Sequence, residues 1–486
     1  MKVEQYRIFQ IEVSNKDVAV TFRNGDSAIT VRAFSDNGKH FVRFSPAAIG
    51  EWSYRSTSGE EGAFDCIPAK ENNHGYVKTE GFHFRYADGT RYLPFGTTCY
   101  ALVYQSEKVI SQTLDSLKNS PFNKVRILVF PKSMAFNTEE PEYFPFLKAE
   151  NGKWDISRPD SRYWSKLENL IERLGGLGIE VDLILFHPYD KWGFAAFTRD
   201  EAIAYLDYTV NRLSAYKNIW WSLANEYELL LDKTYEDWDA YAEEVKKCDV
   251  YGRLLSIHNF CNPYPKRAWM SHCSIQSAFP ERAIVWRSNY GLPVIDDECG
   301  YEGNLEFRWG NLSAFELVNR IWKGVVNGGY CTHGETFYHE NEVIWWAKGG
   351  TLEGKSIKRI AYLKSLLEEL GEIEPLVRLE YLLQMNVAGQ GTEFMQAMKG
   401  LSKGEQDQVI ADMIPPICGN DHCRLYYFGR GCPLFASVST PTNDNYRAEI
   451  IDVWEMTRSV ALKSVSGDCK IQLPAKEGMA VLLTKI

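Results

Sequence analysis

The sequence predicts an α/β protein, namely a (β/α)8 TIM barrel flanked by an N-terminal and a C-terminal antiparallel β-sandwich. Its 486 residues allow roughly three domains at about 150 residues each. Residues 1–88 and 376–486 hold short β-rich segments between turns, whereas residues 89–375 alternate apolar strand-like runs with amphipathic helical segments. That alternation is typical of βα units around a parallel sheet. The three ranges are therefore the predicted N-terminal sandwich, barrel and C-terminal sandwich.

The two terminal regions share a strand-and-turn pattern. Segments 18–22 and 28–34 are rich in β-branched and aromatic residues, and Asn24-Gly25-Asp26 separates them with a turn signal. Segments 448–454 and 479–483 have the same character near the other end of the chain. Short strands at this spacing favour antiparallel sandwiches.

The central region contains eight predicted strand-and-helix units. The predicted strands are 92–100, 124–131, 180–188, 219–226, 253–259, 274–277, 293–300 and 329–335. The predicted helices include 161–177, 199–216, 234–248, 312–327 and 356–370. Eight such units over about 280 residues fit a single barrel.

Composition narrows the function classes. The net charge is −10 and the chain shows no basic stripe, which argues against a nucleic-acid partner. The chain lacks any apolar run of about 18 residues, so we expect no membrane span. With no secretory signal expected, the 11 cysteines are interpreted as reduced thiols of a cytoplasmic protein. No cofactor is predicted, and the pattern leaves open whether the chain forms a homo-oligomer.

Polar residues end seven of the eight predicted strands. Barrel enzymes place their active sites at these strand ends, whereas barrel interiors are filled by apolar side chains. We therefore expect a polar, functional mouth. The residues concerned are Arg126, His187, Asn225, Glu226, His258, Asn259, Gln276, Glu298, His333 and Glu335.

Two of these residues form the predicted catalytic pair. Glu226 ends the fourth strand and Glu298 the seventh, and these strands lie on opposite sides of an eight-stranded barrel. A carboxyl at the rim of an apolar pocket has the raised pKa that a general acid needs. Retaining glycosidases use two carboxyls about 5–5.5 Å apart, one as acid/base and one as nucleophile. Helix capping or a surface ion pair is the alternative for either glutamate.

Three motifs resemble the clan A glycoside hydrolases. Residues 222–226 (Ser-Leu-Ala-Asn-Glu) resemble the acid/base motif, residues 294–298 the nucleophile motif, and residues 123–127 the strand-two Asn-x-Val-Arg motif. The resemblance implies Glu226 as acid/base and Glu298 as nucleophile. It also implies that Asn225 binds the sugar 2-hydroxyl and that Arg126 keeps Glu298 ionised.

The whole chain resembles apiosidase-like proteins, in which a clan A barrel lies between two sandwiches. Residues 93–98, 221–226 and 328–335 carry this resemblance. The sequence departs from the clan pattern on strand six, which offers Gln276 in place of an aromatic residue, so that Tyr301 is the candidate for that role. Strand eight ends in His333-Gly334-Glu335 where many members have a tryptophan, with Trp345 and Trp346 following.

The remaining candidates are assigned supporting roles. Arg126, His187, Asn225, His258, Gln276, Tyr301, His333 and Glu335 are the predicted substrate-binding residues. Asp296 and Asp297 are expected to support Glu298 by hydrogen bonding, and Glu228 is interpreted as a loop ion pair. Cys418, His422 and Cys423 do not complete a tetrahedral metal site, so no metal ligands are predicted.

The predicted activity is retaining hydrolysis of a terminal sugar from a small oligosaccharide or glycoside. The sugar would be a pyranose or a furanose such as arabinose or apiose. Two alternatives remain. A metal-dependent barrel hydrolase is suggested by His187, His258 and His333, although strand one lacks a His-x-His pair. A non-catalytic carbohydrate-binding protein would also fit the two sandwiches.

Overall fold

The computed structural model describes residues 1–376, 396–402, 405–406, 409 and 416–486. The chain divides into two compact units. The first comprises residues 1–274 and 338–352, and the second comprises residues 275–337 and 353–486.

The first unit begins with two facing antiparallel-rich sheets. Their strands are β1 (Lys2–Glu4), β2 (Phe9–Val13), β3 (Ala19–Asn24), β4 (Ser27–Arg32), β5 (Phe34–Asp36), β6 (Lys39–Phe44), β7 (Gly50–Ser56) and β8 (Glu61–Ile67). One sheet has the order β1-β8-β7-β3-β4 and the other β2-β6-β5. Both contribute to one hydrophobic cluster, in which the Phe22 and Phe44 rings stack at 4.1 Å. A small antiparallel sheet of β9 (Val77–Glu80), β10 (His83–Tyr86) and β11 (Arg91–Tyr92) follows.

A parallel sheet and its helices form the rest of the first unit. Its elements are β12 (Gly96–Thr98), α1 (Glu107–Lys118), β13 (Lys124–Leu128), β14 (Phe146–Lys148), β15 (Trp154–Pro159), α2 (Ser161–Gly176), β16 (Glu180–Phe186), α3 (Arg199–Leu213), β17 (Ile219–Ala224), α4 (Tyr235–Cys248) and β18 (Leu255–Ser256). The sheet order is β12-β13-β16-β17-β18, and every adjacent pair is parallel. The hairpin β14–β15 is an insertion that the sequence pattern did not predict.

Burial and capping explain these elements. Every residue of β16 and β17 is buried, as expected of parallel strands covered on both faces, and this is why both are mostly apolar. Helix α3 begins with a capping box in which Thr198 and Glu201 exchange side-chain-to-backbone hydrogen bonds. Thr234 and Asp237 do the same for α4.

The boundary between the two units falls within β19 (Cys273–Gln276), whose first two residues belong to the first unit. The next elements of the second unit are α5 (Ala283–Tyr290), β20 (Val294–Glu298), β21 (Glu302–Gly303), α6 (Ala314–Val326), β22 (Tyr330–Cys331) and β23 (Glu335–Thr336). β19, β20 and β22 form one sheet, and β21 pairs with β23. The short helix α7 (Trp345–Lys348) belongs to the first unit, and α8 (Ser356–Leu370) belongs to the second.

The chain ends in antiparallel strands of the second unit. They are β24 (Glu374–Pro375), β25 (Ile417–Gly419), β26 (Cys423–Tyr427), β27 (Phe435–Ser439), β28 (Tyr446–Asp452), β29 (Thr457–Val465), β30 (Asp468–Gln472) and β31 (Met479–Lys485). A six-stranded sheet has the order β24-β25-β26-β31-β28-β29, and β27 pairs with β30. Residues of both sheets share one hydrophobic cluster. Residues 377–395, 403–404, 407–408 and 410–415 of the predicted C-terminal region lie outside the described residues.

Seven of the eight predicted central strands contain an observed strand that is shorter than predicted, and the sixth, β19, has the predicted length but begins one residue earlier. The seven predicted bounds are too long because buried residues, such as 129–131 and 225–226, continue the pattern beyond the paired segment. Helix 356–370 has the predicted bounds. Single-turn 3₁₀ helices lie at Leu102–Tyr104, Tyr227–Leu229, Pro280–Arg282 and Arg308–Gly310.

A buried Arg-Glu-Arg cluster joins the N-terminal sheets to the helices of the first unit. Glu168 of α2 accepts hydrogen bonds from Arg43 of β6 and from Arg212 of α3. The Arg212 Nε–Glu168 Oε1 distance is 2.6 Å, and Arg212 Nη1 also lies 3.0 Å from Asp36 Oδ1. Two cations thus share one buried carboxylate.

Glu180 makes the free energy of unfolding of the first unit depend on pH. It starts β16, is buried, and accepts a hydrogen bond of 3.1 Å from Trp220 Nε1. Burial raises the pKa of Glu180 from 4.5 to about 8. Between these pH values the unfolded chain ionises this group while the folded chain keeps it protonated, so stability falls as pH rises.

We therefore expect Glu180→Gln to stabilise the protein at alkaline pH. The amide keeps the acceptor for Trp220 and cannot ionise. The variant should exceed the wild type by roughly 2–4 kcal/mol at pH 8.5, with the difference shrinking toward pH 4.5. Urea unfolding of the wild type and the variant between pH 4.5 and 8.5 measures this difference in the free energy of unfolding. A difference that does not change with pH would contradict the assignment.

Candidate active site

Glu226 occupies a strained turn at the end of β17. Its backbone is left-handed (φ 50°, ψ 57°), which costs roughly 1–2 kcal/mol for a residue with a Cβ. The side chain is 5% exposed, and Tyr189 donates its hydroxyl hydrogen to Glu226 Oε2. The Glu226 N–H donates to His258 Nδ1 at 3.4 Å. The hydrogen bond to His258, which follows the neighbouring strand β18, helps to maintain this left-handed backbone, and the backbone in turn sets the direction of the Glu226 carboxylate.

Arg126 and Tyr100 fix the orientation of Asn225. Arg126 Nη2 lies 3.0 Å from Asn225 Oδ1, and the Tyr100 hydroxyl lies 3.1 Å from the same oxygen. Arginine can only donate, so the oxygen of the amide must face it. The Asn225 NH2 group is therefore directed away from Arg126, as a donor to a sugar hydroxyl would have to be.

Both ring nitrogens of His187 bind the protein backbone. Nε2 donates to the Phe130 carbonyl at 3.2 Å, and Nδ1 accepts from the Tyr189 N–H at 3.2 Å. Burial, with a smaller effect of Lys132, lowers the pKa of His187 to about 3. The ring is neutral and has both nitrogens engaged. This geometry favours the positioning of Tyr189 over the predicted contact with a sugar.

The loop after β18 is fastened to the Glu226 turn. Glu228 accepts hydrogen bonds from the backbone N–H groups of Phe260, Cys261 and Asn262, at 2.6, 3.0 and 2.6 Å. The Tyr227 N–H donates to the His258 carbonyl at 3.1 Å. Glu228 is thus a clamp on backbone amides and not the predicted ion pair, because three N–H groups converge on its carboxylate.

In the second unit, β20 carries three consecutive acids that differ in exposure. Asp296 and Asp297 are buried, whereas Glu298 is partly exposed. Asp297 Oδ1 accepts from Thr332 Oγ1 at 2.7 Å, and Asp296 Oδ1 accepts from the Ser277 N–H at 3.3 Å. Burial raises the pKa of Asp296 well above its usual value. Of the three acids, Glu298 is the one with a partly exposed side chain.

Glu335 and Glu302 together hold the N-terminus of α8. Glu335 accepts from the N–H groups of Glu353 and Gly354 at 2.9 and 2.8 Å. Glu302 accepts from those of Lys355 and Ser356 at 2.9 and 3.0 Å. Ser356 is the first residue of α8, so its N–H has no intrahelical partner and the Glu302 carboxylate satisfies it. Glu353 and Gly354 belong to the segment that leads into the helix. This geometry gives Glu335 a structural role, where substrate binding was predicted. His333 Nε2 lies 3.5 Å from Glu335 Oε1.

Gly354 is the residue that permits this double cap. A Cβ at position 354 would lie 2.3 Å from Glu335 Oε1 and 2.5 Å from Glu302 Oε2. We expect Gly354→Ala to displace both carboxylates and to lower the free energy of unfolding by about 1–3 kcal/mol, the cost of leaving buried charged acceptors without donors. Thermal unfolding measures this effect. The control is Gly176→Ala in the last turn of α2, where a Cβ meets no atom within 4 Å and the backbone is not left-handed. Equal melting temperatures for Gly354→Ala and the wild type would contradict the cap.

The other predicted residues of the second unit lie at strand ends. Tyr301 follows β20 and is buried, and its ring packs so closely on Gly334 that a Cβ there would lie 2.3 Å from the ring. The absence of a side chain at Gly334 thus permits the close approach of Tyr301. Gln276 ends β19 and is partly buried. Their predicted contacts with substrate remain predictions.

Sequence reasoning missed Tyr100, Tyr189 and Lys132. Tyr100 follows the first strand and Tyr189 follows the third, so strand-end position alone would have found both had aromatic hydroxyls been counted. Lys132 lies four residues beyond β13, and its sequence context gives no signal.

Two family profiles match the chain. Residues 78–373 match the family described as apiosidase-like, catalytic domain. Residues 409–484 match a domain of unknown function. No curated protein matches the chain.

Solved structures agree with this assignment. A candidate glycoside hydrolase from Bacteroides vulgatus ATCC 8482 is 32% identical over 100% of both chains, with a TM-score of 0.86. A glycoside hydrolase family 5 protein from the same organism is 17% identical, over 85% of this chain and 94% of that one, with a TM-score of 0.63. The latter shares the fold. The chain therefore belongs to the apiosidase-like family and is a glycoside hydrolase.

Proposed function

We propose that the protein removes a terminal sugar from a small oligosaccharide or glycoside, with retention of anomeric configuration. Glu226 is the acid/base and Glu298 the nucleophile. The observation that carries the proposal is the Glu226 turn, in which a nearly buried carboxylate is held in a strained backbone beside an amide oriented by Arg126. The greater exposure of Glu298 than of Asp296 and Asp297 supports its role.

We further propose that the eight parallel strands close into a (β/α)8 barrel over residues 89–375. The alternation of these strands with helices supports this closure, as does the fold shared with the family 5 relative. The facing sheets at each end support the predicted sandwiches over residues 1–88 and 376–486.

The proposed reaction has two steps. Glu298 attacks the anomeric carbon while Glu226 transfers its proton to the leaving oxygen, which gives a glycosyl-enzyme ester and a free alcohol. Glu226, now ionised, then takes a proton from water as that water attacks the anomeric carbon and releases Glu298. The Asn225 NH2 group, held by Arg126 and Tyr100, donates to the sugar 2-hydroxyl.

The substrate is proposed to be a small glycoside with a terminal pyranose, or a furanose such as arabinose or apiose. The family resemblance supports this class. A cytoplasmic location is part of the proposal, because all eleven cysteines are described and all are free thiols. Within the described part of the chain, no helix has the length and apolar character needed to span a bilayer.

The alternative of a metal-dependent hydrolase receives less support. It relied on histidines at strand ends, and both nitrogens of His187 are already engaged by backbone groups. Among the described residues, one group of three potential ligands converges, namely Asp207, Glu244 and Cys248. Arg32 and Lys247 form ion pairs with its two carboxylates. A non-catalytic carbohydrate-binding protein would not need the strained Glu226 turn.

A panel of aryl pyranosides and furanosides, assayed with and without chelator, tests the proposal. We expect release of aryl alcohol from at least one glycoside, at a rate that the chelator does not change. Loss of activity with chelator would favour the metal-dependent alternative. Binding without hydrolysis of any glycan, natural oligosaccharides included, would favour the binding protein.

A further inference from the structure

A buried lysine lies among three aromatic rings beside the proposed acid/base. Lys132 is 2% exposed. Its ammonium nitrogen lies 4.0 Å from the centroid of the Tyr100 ring, 4.2 Å from that of Trp346 and 4.7 Å from that of Tyr189. All three distances fall within the range of about 6 Å for cation–π attraction. The rings thus form an aromatic cage around one charge.

Two of the three caging rings carry the hydroxyls that hold the catalytic groups. Tyr189 donates to Glu226 Oε2, and Tyr100 donates to Asn225 Oδ1 at 3.1 Å. The third ring, Trp346, meets Tyr100 edge-on at 5.7 Å. A single cation therefore packs against both tyrosines that position the proton donor and the sugar-binding amide.

The backbone ties the lysine to the same tyrosines. The Ser133 N–H, next to Lys132, donates to the Tyr189 carbonyl at 2.8 Å, and the Tyr100 N–H donates to the Trp346 carbonyl at 3.0 Å. Lys132 and its cage thus form one connected piece of the first unit. Burying an ammonium is costly, and an apolar side chain such as methionine would fill an aromatic box at no such cost. The charge itself is therefore the feature to be explained.

We propose that Lys132 is a positioning residue for acid catalysis: its caged ammonium holds Tyr189 against Glu226 and makes the Tyr189 hydroxyl a stronger donor. The proposal rests on the proposed role of Glu226. Because a cation over the ring face withdraws charge from the phenol, the hydrogen bond to Glu226 strengthens, and the carboxyl is held where it can protonate the leaving oxygen. Lys132 also helps keep His187 neutral, so that its Nδ1 can accept the Tyr189 N–H.

Leaving-group dependence separates this role from a merely structural one. A 2,4-dinitrophenyl glycoside needs no proton on departure, whereas the phenyl glycoside of the same sugar does. The kcat/KM value reports the first step for both. We expect Lys132→Met to lower kcat/KM about 10- to 100-fold for the phenyl glycoside and less than about threefold for the dinitrophenyl glycoside. Tyr189→Phe should show the same separation, and Lys132→Arg, which keeps the charge, should recover most of the loss.

A second buried lysine provides the control for a loss of buried charge in general. Lys348→Met removes another buried ammonium, one that pairs with Glu139 at 3.3 Å, and should not separate the two leaving groups. Equal losses on both substrates in Lys132→Met, or no loss, would overturn the proposal, provided that thermal unfolding shows the variant folded. If Lys132→Met does not fold, Lys132→Gln and Tyr189→Phe give the same test. Full activity of Glu226→Ala on the phenyl glycoside would instead overturn the proposed function.

Discussion

Replacing Glu298 with alanine is expected to abolish turnover while the protein remains folded. The variant lacks the atom that bonds to the anomeric carbon, so the loss should be at least about 10⁴-fold in kcat, in line with removal of other covalent catalytic groups. Initial rates on the best aryl glycoside, with circular dichroism as a check on folding, measure it. Glu306→Ala is a matched control, because Glu306 lies in the loop after β20 and is exposed. Its activity should stay within about twofold of the wild type.

Azide distinguishes the two proposed carboxylates. In Glu226→Ala, the glycosyl-enzyme still forms from a dinitrophenyl glycoside, and azide should then release a glycosyl azide of the substrate's own anomeric configuration. In Glu298→Ala, azide can attack the sugar directly and should give the opposite configuration. Product configurations exchanged between the two variants would mean that the roles are exchanged. Wild-type rates in Glu298→Ala would remove the residue from the mechanism.

Replacing Glu168 with alanine is expected to have the largest effect on stability. It would leave Arg43 and Arg212 buried without their shared carboxylate, although Arg212 would keep Asp36 and the Tyr208 hydroxyl as partners. Breaking a buried ion pair by removing one partner costs about 3–5 kcal/mol. Urea unfolding should therefore show a lower midpoint for Glu168→Ala.

Glu168→Gln serves as the matched variant for this position. The glutamine keeps the volume and one acceptor oxygen of Glu168 but loses the charge. The free energy of unfolding of Glu168→Gln should therefore lie between those of the wild type and Glu168→Ala. A midpoint for Glu168→Ala within error of the wild type would show that the cluster contributes nothing net to stability.

The sequence could predict the parallel strands because apolar residues predominate in most of them and helical segments alternate with them. β16 and β17 are buried along their whole length, and the polar residues that follow them mark where they end. For this reason the sequence places Asn225 and Glu226 at the end of the fourth strand. The family resemblance linked Arg126 to Glu298, whereas the contact between Arg126 and Asn225 was not predicted, since no local pattern reveals which residues on β13 and β17 face each other.

Sequence reasoning could not separate catalytic from structural residues of the same type. Glu335 and Glu226 both lie at the ends of predicted strands, yet Glu335 receives the N–H groups of Glu353 and Gly354, in the segment that leads into α8. Which carboxylate meets these N–H groups depends on packing, not on spacing. The same holds for Lys132, whose cage is assembled from three separate segments.

The anomeric configuration of the sugar at the moment of release tests the central claim most directly. Proton NMR of a reaction on the best aryl glycoside from the panel, recorded before mutarotation, reads it from the anomeric coupling and shift. Double displacement by Glu298 and Glu226 predicts that the first sugar formed has the configuration of the substrate. Release of the opposite anomer would contradict the account, because it would require a single displacement by water with no covalent bond to Glu298.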